Sequence, residues 1–274
     1  MQPSTEAGAA GLAAILAEPQ RAVVALDFDG TLSPIVADPS EAYVHPDAVP
    51  TLARLAPHLA GVAVITGRPV ESALELAGFA GVTGLERLTI LGHYGAERWD
   101  AATGELRTPP PHPGVLALRE ELPAIVAGAP DGVRIEDKGA ALAVHTRRTA
   151  NPDAVLHALE PELLSAAERL GLAVEPGRFV LELRPPGTDK GDALRAYLAE
   201  RDAASVLYAG DDLGDIAAFD AVAQWRKDGN PGLLVCAAPT TGEAPVTALA
   251  SRADLIVQGP EGVVALLGSL AERF

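Results

Sequence analysis

The sequence predicts an α/β fold, namely a doubly wound, parallel-sheet (Rossmann-like) core with an inserted α+β cap domain of two helix-strand-strand units. Both ends of the chain alternate short apolar runs with helical patterns, which is typical of a parallel sheet covered on both faces. The middle of the chain instead shows two helical patterns, each followed by two strands of alternating hydrophobicity. A chain of 274 residues is long enough for this two-part organisation.

The core elements follow from these patterns in chain order. An amphipathic helix is predicted over residues 8–16. Apolar, β-branched runs predict strands at residues 22–26, 62–65, 88–91, 206–209, 233–237 and 255–257. Helical patterns predict helices at residues 50–59, 70–76, 191–201, 213–222 and 261–273.

The middle segment is bounded by proline. A cluster at residues 109–113 indicates a stiff connector, and Pro185, Pro186 and Gly187 close the segment. Between them we predict helices at 115–127 and 152–170, and strands at 133–137, 141–147, 172–175 and 179–184. The predicted domains are a core of residues 1–105 and 186–274, and an inserted domain of residues 106–185. The alternative is one continuous domain with a long antiparallel excursion.

Composition restricts the class of partner. A formal net charge of -16 argues against nucleic acid and anionic membranes, because both bind basic surfaces. The single cysteine, Cys236, excludes a disulfide framework and suits a reducing compartment. The first residues lack the pattern of a signal peptide, and no apolar run reaches membrane-spanning length. We therefore expect a cytoplasmic protein, monomeric, that acts on a small molecule.

The strongest chemical motif is Asp27-Phe28-Asp29-Gly30-Thr31, which directly follows a predicted strand. Ligand sites in open α/β sheets lie at the carboxyl ends of strands. Of two carboxylates at this spacing, one can attack phosphorus while the other protonates the leaving oxygen and then deprotonates water. Gly30 allows a tight turn that aims amide groups at phosphate. An acidic turn without catalytic function is the alternative.

Two further motifs supply groups that bind phosphate. Thr66, with the amides of Gly67 and Arg68, follows the strand at 62–65 and can hold a phosphate oxygen, or it can simply cap a helix. Lys190 precedes a predicted helix, where its charge can neutralise a transferring phosphoryl group. An exposed lysine at a helix start is the alternative.

The fourth motif is the acidic segment 210–215, GDDLGD, after the strand at 206–209. Carboxylates this close repel one another unless a cation lies among them, and hard oxygen ligands suit Mg²⁺. Helix capping by Asp211 or Asp212 is the alternative.

Together these motifs resemble the haloacid-dehalogenase superfamily, through DFDGT, the Thr of ITGR, the Lys of TDKG, and GDDLGD. Because it has Asp29, the chain resembles the phosphatases of that superfamily. The inserted segment resembles the cap domain that covers the substrate in those enzymes. A narrower resemblance is to trehalose-6-phosphate phosphatases. It rests on DFDGTLSPIVADP (27–39), ITGR (65–68), LGHYGAERW (91–99), IEDKGAALAVHTR (135–147), LELRPPGTDKG (181–191) and YAGDDLGDIAAF (208–219). Gly214 departs from the pattern, since many members carry Thr there.

The resemblance implies the following roles. Asp27 would form the aspartyl-phosphate and ligate Mg²⁺. Asp29 would be the acid/base and offer its backbone carbonyl to the metal, and Asp211 would be the third protein ligand. Asp212 and Asp215 would hold metal-bound water or Lys190.

The predicted cap strands present one polar face, through alternation, that is rich in charge. Glu136, Lys138 and Glu182 lie on that face and match the sugar-contacting positions of the family. His93 and Arg68 are the further candidates for substrate contact. A solvated sheet face without ligand is the alternative.

We therefore expect a magnesium-dependent phosphatase of trehalose 6-phosphate. A phosphatase of another sugar phosphate, such as sucrose phosphate or a glycosyl-glycerate phosphate, would use the same core. A phospho-accepting signalling module would need neither Asp29 nor a cap. A non-catalytic sugar-phosphate sensor would bind the ligand without releasing phosphate.

Overall fold

The structure is a computed structural model that describes residues 2–177, 179–187, 189–240 and 245–274. The chain divides into two compact units, residues 1–108 with 188–274, and residues 109–187. In the described ranges, no helix is both long enough and apolar enough to cross a membrane.

Strands and helices are numbered in chain order. The strands are β1 (Ala22–Leu26), β2 (Gly61–Ile65), β3 (Leu88–Gly92), β4 (Glu97–Asp100), β5 (Glu105–Arg107), β6 (Arg134–Asp137), β7 (Leu142–His145), β8 (Ala173–Gly177), β9 (Val180–Arg184), β10 (Ser205–Gly210), β11 (Gly232–Ala238) and β12 (Leu255–Gln258). The helices are α1 (Glu6–Ala17), α2 (Ala48–Leu55), α3 (Val70–Ala77), α4 (Pro113–Ile125), α5 (Pro152–Leu170), α6 (Lys190–Glu200), α7 (Ile216–Lys227), α8 (Thr247–Ala250) and α9 (Gly259–Ala271).

The first unit is built on an eight-stranded sheet in the order β12-β11-β10-β1-β2-β3-β4-β5. The strands from β12 to β3 are parallel. The chain moves outward from β1 to β3 and then crosses to β10, from which it moves outward to β12. The predicted doubly wound α/β fold class is confirmed. The strand order reverses between β1 and β10, which is where such sheets bind ligands.

Both faces of this sheet are covered. Val24 and Leu26 of β1 pack in a core with residues of α2, α3 and α9, and Ile15 of α1 joins the same cluster. Val23 and Ala25 face the other way, toward α6 and α7. All five residues of β1 are buried, because an apolar side chain on either face meets a helix.

The sheet extends further than the sequence predicted. β4 and β5 form an antiparallel continuation beyond β3. In β4 only alternate residues are buried, and β5 is a short, exposed edge strand, so neither carries the apolar run by which we recognised the other core strands. Residues 105–107 pair with the core sheet, and the compact units divide between residues 108 and 109, whereas the sequence analysis placed the start of the cap at residue 106.

The second unit has an antiparallel sheet in the order β6-β7-β9-β8. One face of this sheet packs under α4 and α5, in a core that includes Leu118, Val144 and Leu183. The strand register aligns four residues across the other face, in the order Glu136, Ala143, Glu182 and Glu175. The second unit thus carries a polar row of carboxylates on a sheet with its own apolar core.

Candidate active site

The site of the first unit is centred on an ion pair between Asp27 and Lys190. Asp27 directly follows β1, and Lys190 is the first residue of α6, which Asp189 caps through a capping box with Asp192. Lys190 Nζ lies 2.6 Å from Asp27 Oδ1 and 2.8 Å from Asp215 Oδ1. All three side chains are buried. The fold thus brings the ammonium group of Lys190 between two carboxylates that are distant from it in sequence.

Asp215 organises the acidic segment. Its Oδ1 accepts hydrogen bonds from Lys190 Nζ and from the Tyr208 hydroxyl, 2.7 Å away. Its Oδ2 accepts from the backbone amides of Asp211 and Asp212, at 2.9 and 3.1 Å. Both oxygens are thus engaged by two donors each. The resemblance implied that Asp215 holds either metal-bound water or Lys190. These contacts support the second of these roles.

Asp212 has the capping role that the sequence analysis gave as an alternative, whereas a role for Tyr208 was not foreseen. Asp212 is exposed, and its Oδ1 accepts from the amide of Gly214 at 2.8 Å, so its side chain caps the turn that leads into α7. Tyr208 was not singled out in the sequence, because it looked like one more buried residue of β10. Its hydroxyl points to Asp215, and only the three-dimensional contact reveals this.

Burial and mutual repulsion control the ionisation of the site. Burial raises the pKa of Asp27 well above its usual value, against the lowering effect of Lys190. Burial and the neighbouring charge of Asp27 raise the pKa of Asp211 in the same way. Burial alone would lower the pKa of Lys190, but Asp215 and Asp27 outweigh it and hold that pKa well above its usual value. The site therefore holds more carboxylate than its lysine can balance.

The donor set fits a hard divalent cation. One carboxylate oxygen from each of Asp27, Asp211 and Asp215 lies within 4.8 Å of the others. Since Asp215 already accepts four hydrogen bonds, Asp27 and Asp211 have the free oxygen capacity. Gly30, at φ 77°, makes room for Asp211, because a Cβ at this position would lie 2.0 Å from Asp211 Oδ2. Oxygen ligands of this kind suit Mg²⁺.

Thr66 directly follows β2 and begins a hydrogen-bonded loop. Its amide donates to the carbonyl of Leu91, at 3.0 Å, and its Oγ1 accepts from the amide of Arg68, at 3.1 Å. The hydroxyl is buried. The loop thus fixes the Thr66 side chain at the carboxyl end of the sheet, on the strand next to that of Asp27.

Arg68 contacts Asp29. Its Nε and Nη2 donate to the two carboxylate oxygens of Asp29, each at 2.7 Å. The guanidinium also lies over the Phe28 ring, 5.5 Å from its centroid. The sequence suggested a substrate contact for Arg68, which stays a prediction; this ion pair was not foreseen.

His93, Tyr94 and Gly95 form a left-handed turn against the Thr66 loop. Their φ angles are 46°, 59° and 100°, a conformation that costs a residue with a side chain roughly 1–3 kcal/mol. The amides of His93 and Tyr94 donate to the carbonyls of Arg68 and Thr66. A Cβ at Gly67 would lie 2.8 Å from the Tyr94 hydroxyl oxygen, so the two loops are in close contact. His93 is buried here, and its predicted substrate contact stays a prediction.

The predicted sugar-contacting residues lie on the polar face of the second unit. Glu136 Oε2 lies 2.8 Å from His145 Nε2, and Lys138 Nζ donates to Glu182 Oε2. Glu182 is buried, and its Oε1 has no hydrogen-bond partner within the described ranges. Glu182 and Glu136 belong to one row across the sheet, since both pair with Ala143. The second unit therefore presents carboxylate oxygens and an ammonium group on a single face.

The predicted site residues fall into two groups. The first unit brings together Asp27, Asp29, Gly30, Thr66, Gly67, Arg68, Lys190 and Asp211, with His93 in the turn behind Thr66. The second unit carries Glu136, Lys138 and Glu182.

The fold of this chain, a parallel sheet with an inserted α+β unit, is similar to that of solved structures. The structure of a haloacid dehalogenase-like hydrolase from Bacteroides thetaiotaomicron gives a TM-score of 0.61 at 18% identity, over 90% of this chain and 98% of that one. The C-terminal domain of a Candida albicans trehalose-6-phosphate phosphatase gives a TM-score of 0.76 at 22% identity, over 99% of this chain and 98% of that one.

The sequence identifies the family. The profile of the trehalose-phosphatase family matches residues 25–254. A probable trehalose-phosphate phosphatase of Sinorhizobium fredii is 36% identical over 202 residues, which is 72% of each chain. A trehalose-phosphate phosphatase of Mycobacterium marinum is 36% identical over 214 residues, 74% of this chain, and the match spans only 52% of that relative's length. The chain belongs to the trehalose-phosphatase family, as the sequence motifs indicated.

Proposed function

We propose that this protein is a magnesium-dependent phosphatase that hydrolyses trehalose 6-phosphate to trehalose and phosphate through an aspartyl-phosphate intermediate. The observation that carries this proposal is the buried contact of Lys190 with Asp27, next to Asp211, in a chain of the trehalose-phosphatase family. We further propose that it acts as a cytoplasmic monomer, in keeping with the acidic composition and the single cysteine.

The chemistry needs two carboxylates with different roles. Asp27 is the nucleophile, because Lys190 holds one of its oxygens and leaves the other for attack on phosphorus. Asp29 protonates the departing sugar oxygen and then takes a proton from the water that hydrolyses the acyl phosphate. Lys190 and the Thr66 hydroxyl stabilise the charge that develops on the phosphoryl oxygens, and Gly67 offers its backbone amide for the same purpose. The amide of Gly30 instead donates to the carbonyl of Ser33, at 2.7 Å, and closes the turn after Asp29.

The proposed cation is Mg²⁺, held by Asp27, Asp211 and the backbone carbonyl of Asp29. When bound, it supplies positive charge next to the transferring phosphoryl group. The raised pKa values of Asp27 and Asp211 support this, since a buried and a half-buried carboxylate side by side are unfavourable without a cation.

The proposed sugar-binding surface is the polar face of the second unit. A disaccharide needs several donors and acceptors to match its hydroxyl groups. The Glu136 carboxylate, the Lys138 ammonium and the Glu182 carboxylate provide both kinds of group on one sheet face. The unpartnered Glu182 Oε1 supports this assignment, because a buried acceptor without a donor is unfavourable and a sugar hydroxyl would satisfy it.

The test is phosphate release from a panel of phosphorylated sugars, namely trehalose 6-phosphate, sucrose 6-phosphate, a glycosyl-glycerate phosphate and glucose 6-phosphate. Each sugar is assayed with Mg²⁺ and with a chelator. We expect the highest kcat/KM for trehalose 6-phosphate, and no release without Mg²⁺. The Asp27→Asn protein should be inactive and folded, whereas Asp47→Asn, which changes an exposed aspartate of the same unit, should keep full activity.

The alternatives give different results in the same assay. Preference for another sugar would keep the chemistry and overturn the substrate. Saturable binding of a sugar phosphate without release of phosphate would indicate a sensor. An active Asp27→Asn protein would remove the nucleophile.

A further inference from the structure

The Asp29 carboxylate is held more firmly than its partly exposed position requires. Arg68 Nε and Nη2 donate to its two oxygens in parallel, each at 2.7 Å, while the side chain of Asp29 remains 35% exposed. A guanidinium that bonds both oxygens fixes the plane of a carboxylate as well as its position. Each carboxylate oxygen has a second lone pair, so Asp29 can still accept a proton from the solvent side.

Arg68 is itself fixed from three directions. Its guanidinium lies over the buried Phe28 ring, 5.5 Å from the centroid, and Nη1 is 3.4 Å from Ser72 Oγ. The main chain of Arg68 is held at both ends, because its amide donates to Thr66 Oγ1 and its carbonyl accepts from the amide of His93.

The turn whose amide donates to this carbonyl is strained. His93 and Tyr94 are two consecutive left-handed residues that are not glycine. Strained backbone of this kind persists where the surrounding structure holds it in place, and it is typical of functional sites. Here the strained turn packs on Gly67 and carries the bond to Arg68, so its visible effect is to place the Arg68 side chain.

We propose that Arg68 is a positioning residue that holds Asp29 as a base for the hydrolysis of the phosphorylated intermediate. The proposal rests on the proposed function. It assigns Arg68 to Asp29 rather than to the substrate.

The step that Arg68 serves is the second half-reaction. The oxygen of a water molecule forms a bond to phosphorus, and one of its protons passes to Asp29. The bond between phosphorus and the Asp27 oxygen breaks, and its electron pair returns to the Asp27 carboxylate. Phosphate leaves, and Asp29 passes the proton to solvent. Arg68 favours this step because its two parallel bonds fix the position and the plane of the Asp29 carboxylate that accepts the proton.

The experiment is a rapid-mixing assay of the full chain, with Mg²⁺ and 4-nitrophenyl phosphate. An activated aryl group leaves without a proton, so the burst of nitrophenolate reports formation of the intermediate and the later steady rate reports its hydrolysis. The variants are Arg68→Gln, Arg68→Lys, Asp29→Asn and the double variant Arg68→Gln/Asp29→Asn. Arg252→Gln is the matched control, because Arg252 pairs with Asp220 on the surface of the same unit. Thermal unfolding verifies that each variant is folded.

For Arg68→Gln we expect the burst rate to change by less than about threefold and the steady rate to fall by about tenfold or more, within the 10²–10⁴-fold that a general base contributes. The steady rate of Arg68→Lys should lie between those of the wild type and Arg68→Gln, because lysine keeps the positive charge and loses the two parallel bonds. In the Asp29→Asn background, Arg68→Gln should change the steady rate by less than about twofold, because Arg68 acts through the Asp29 carboxylate that this background already lacks.

Three results would overturn the proposal. They are a slower burst at an unchanged steady rate, a raised KM at unchanged kcat, and full additivity in the double variant. Full activity of Arg68→Lys would also exclude the role of the paired bonds. The aryl substrate separates this test from that of the proposed function. A wild-type protein that hydrolyses the aryl phosphate but not trehalose 6-phosphate loses its proposed substrate and keeps this inference, whereas inactivity toward both removes both.

Discussion

At the residue scale, the site combines groups that are unfavourable on their own. Asp27 and Asp211 are acidic side chains whose burial and proximity raise both pKa values. Lys190 contacts Asp27 and Asp215 but leaves Asp211 without a cationic partner among the described contacts. This arrangement costs folding stability, a trade that is common at functional sites, and the proposed cation would offset the cost.

Replacement of Asp211 tests this trade. Because burial and Asp27 raise the pKa of Asp211 in the folded protein, the folded state binds its proton more tightly than the unfolded state does. The charged group therefore destabilises the protein at pH values above the raised pKa. We expect metal-free Asp211→Asn to show a larger free energy of unfolding than the wild type at pH 7. The difference in the free energy of unfolding between the variant and the wild type should shrink as the pH falls. It should vanish below the ordinary carboxyl pKa of 3.8, where Asp211 is neutral in both the folded and the unfolded protein. Urea unfolding between pH 3 and pH 8 measures it.

The same variant should lose function. We expect its phosphatase activity to fall on the order of 10²-fold or more, since a major source of charge stabilisation is removed. Added Mg²⁺ should raise the unfolding temperature of the wild type and have little effect on the variant, because only a ligand that binds the folded state stabilises it. Asp47→Asn, in an exposed position of the same unit, serves as the control. A less stable metal-free variant at pH 7 would contradict the argument.

The sequence predicted single residues well where the chemistry is local. Asp27 and Asp29 were recognisable because both follow one apolar strand within three residues. The Arg68–Asp29 pair was not, because it joins residues 39 positions apart, and its formation depends on how two loops meet. Tyr208 was missed for the same reason.

At the element scale, the start of α3 depends on a distant strand. Pro69 precedes α3, and the structure shows no side-chain cap from that position. The amide of Val70, the first helical residue, instead donates to Glu97 Oε2 of β4, at 2.8 Å, in a buried position. An unpaired buried amide at a helix start is unfavourable, so Glu97 satisfies a group that the local sequence leaves open.

The substitution Glu97→Ala should therefore destabilise the start of α3 as well as β4. Removal of the acceptor leaves the Val70 amide buried without a partner, which costs about 1–3 kcal/mol of folding free energy. Because the Thr66 loop runs directly into α3, we also expect a lower kcat. Chemical unfolding and steady-state kinetics measure the two effects. Glu105→Ala, on the exposed edge strand β5, should change neither. Equal effects of the two variants would show that the Val70 bond has no special role.

Elements were predictable where both faces of a strand are buried. The prediction for β1 coincides with the observed strand, and those for β2, β3 and β10 differ by one or two residues in total. β4 and β5 escaped prediction because they are stabilised by pairing, β4 with β3 and β5 with β4, and not by their own composition. The short helix α8 was also not predicted.

At the scale of the whole molecule, the chain contains two units with separate apolar cores. The first unit has cores on both faces of its sheet, and the second has its own core under α4 and α5. The proline cluster, and the change from continuous apolar runs to alternating patterns, led us to expect an inserted domain, because both features are visible in the local sequence. The pairing of β5 with β4 is not visible there, because it joins β5 to the core sheet without an apolar run.

Separate cores predict that the second unit can be weakened selectively. Leu118 is fully buried on α4, and Leu118→Ala should cost about 2–5 kcal/mol through the cavity it leaves. Proteolytic cuts should then appear first within residues 109–187. Leu164→Ala on α5, at a side chain that is 44% exposed, is the matched control and should stay within about 0.5 kcal/mol of the wild type.

The two proposed roles of the units lead to a split in activity. If the second unit binds the sugar and the first performs the chemistry, partial unfolding of the second unit should raise KM for trehalose 6-phosphate. Hydrolysis of 4-nitrophenyl phosphate, which has no sugar to bind, should persist at temperatures where activity on the sugar phosphate is already lost. Assays of Leu118→Ala across its unfolding transition measure this split. Parallel loss of both activities would show instead that the core chemistry requires a folded second unit.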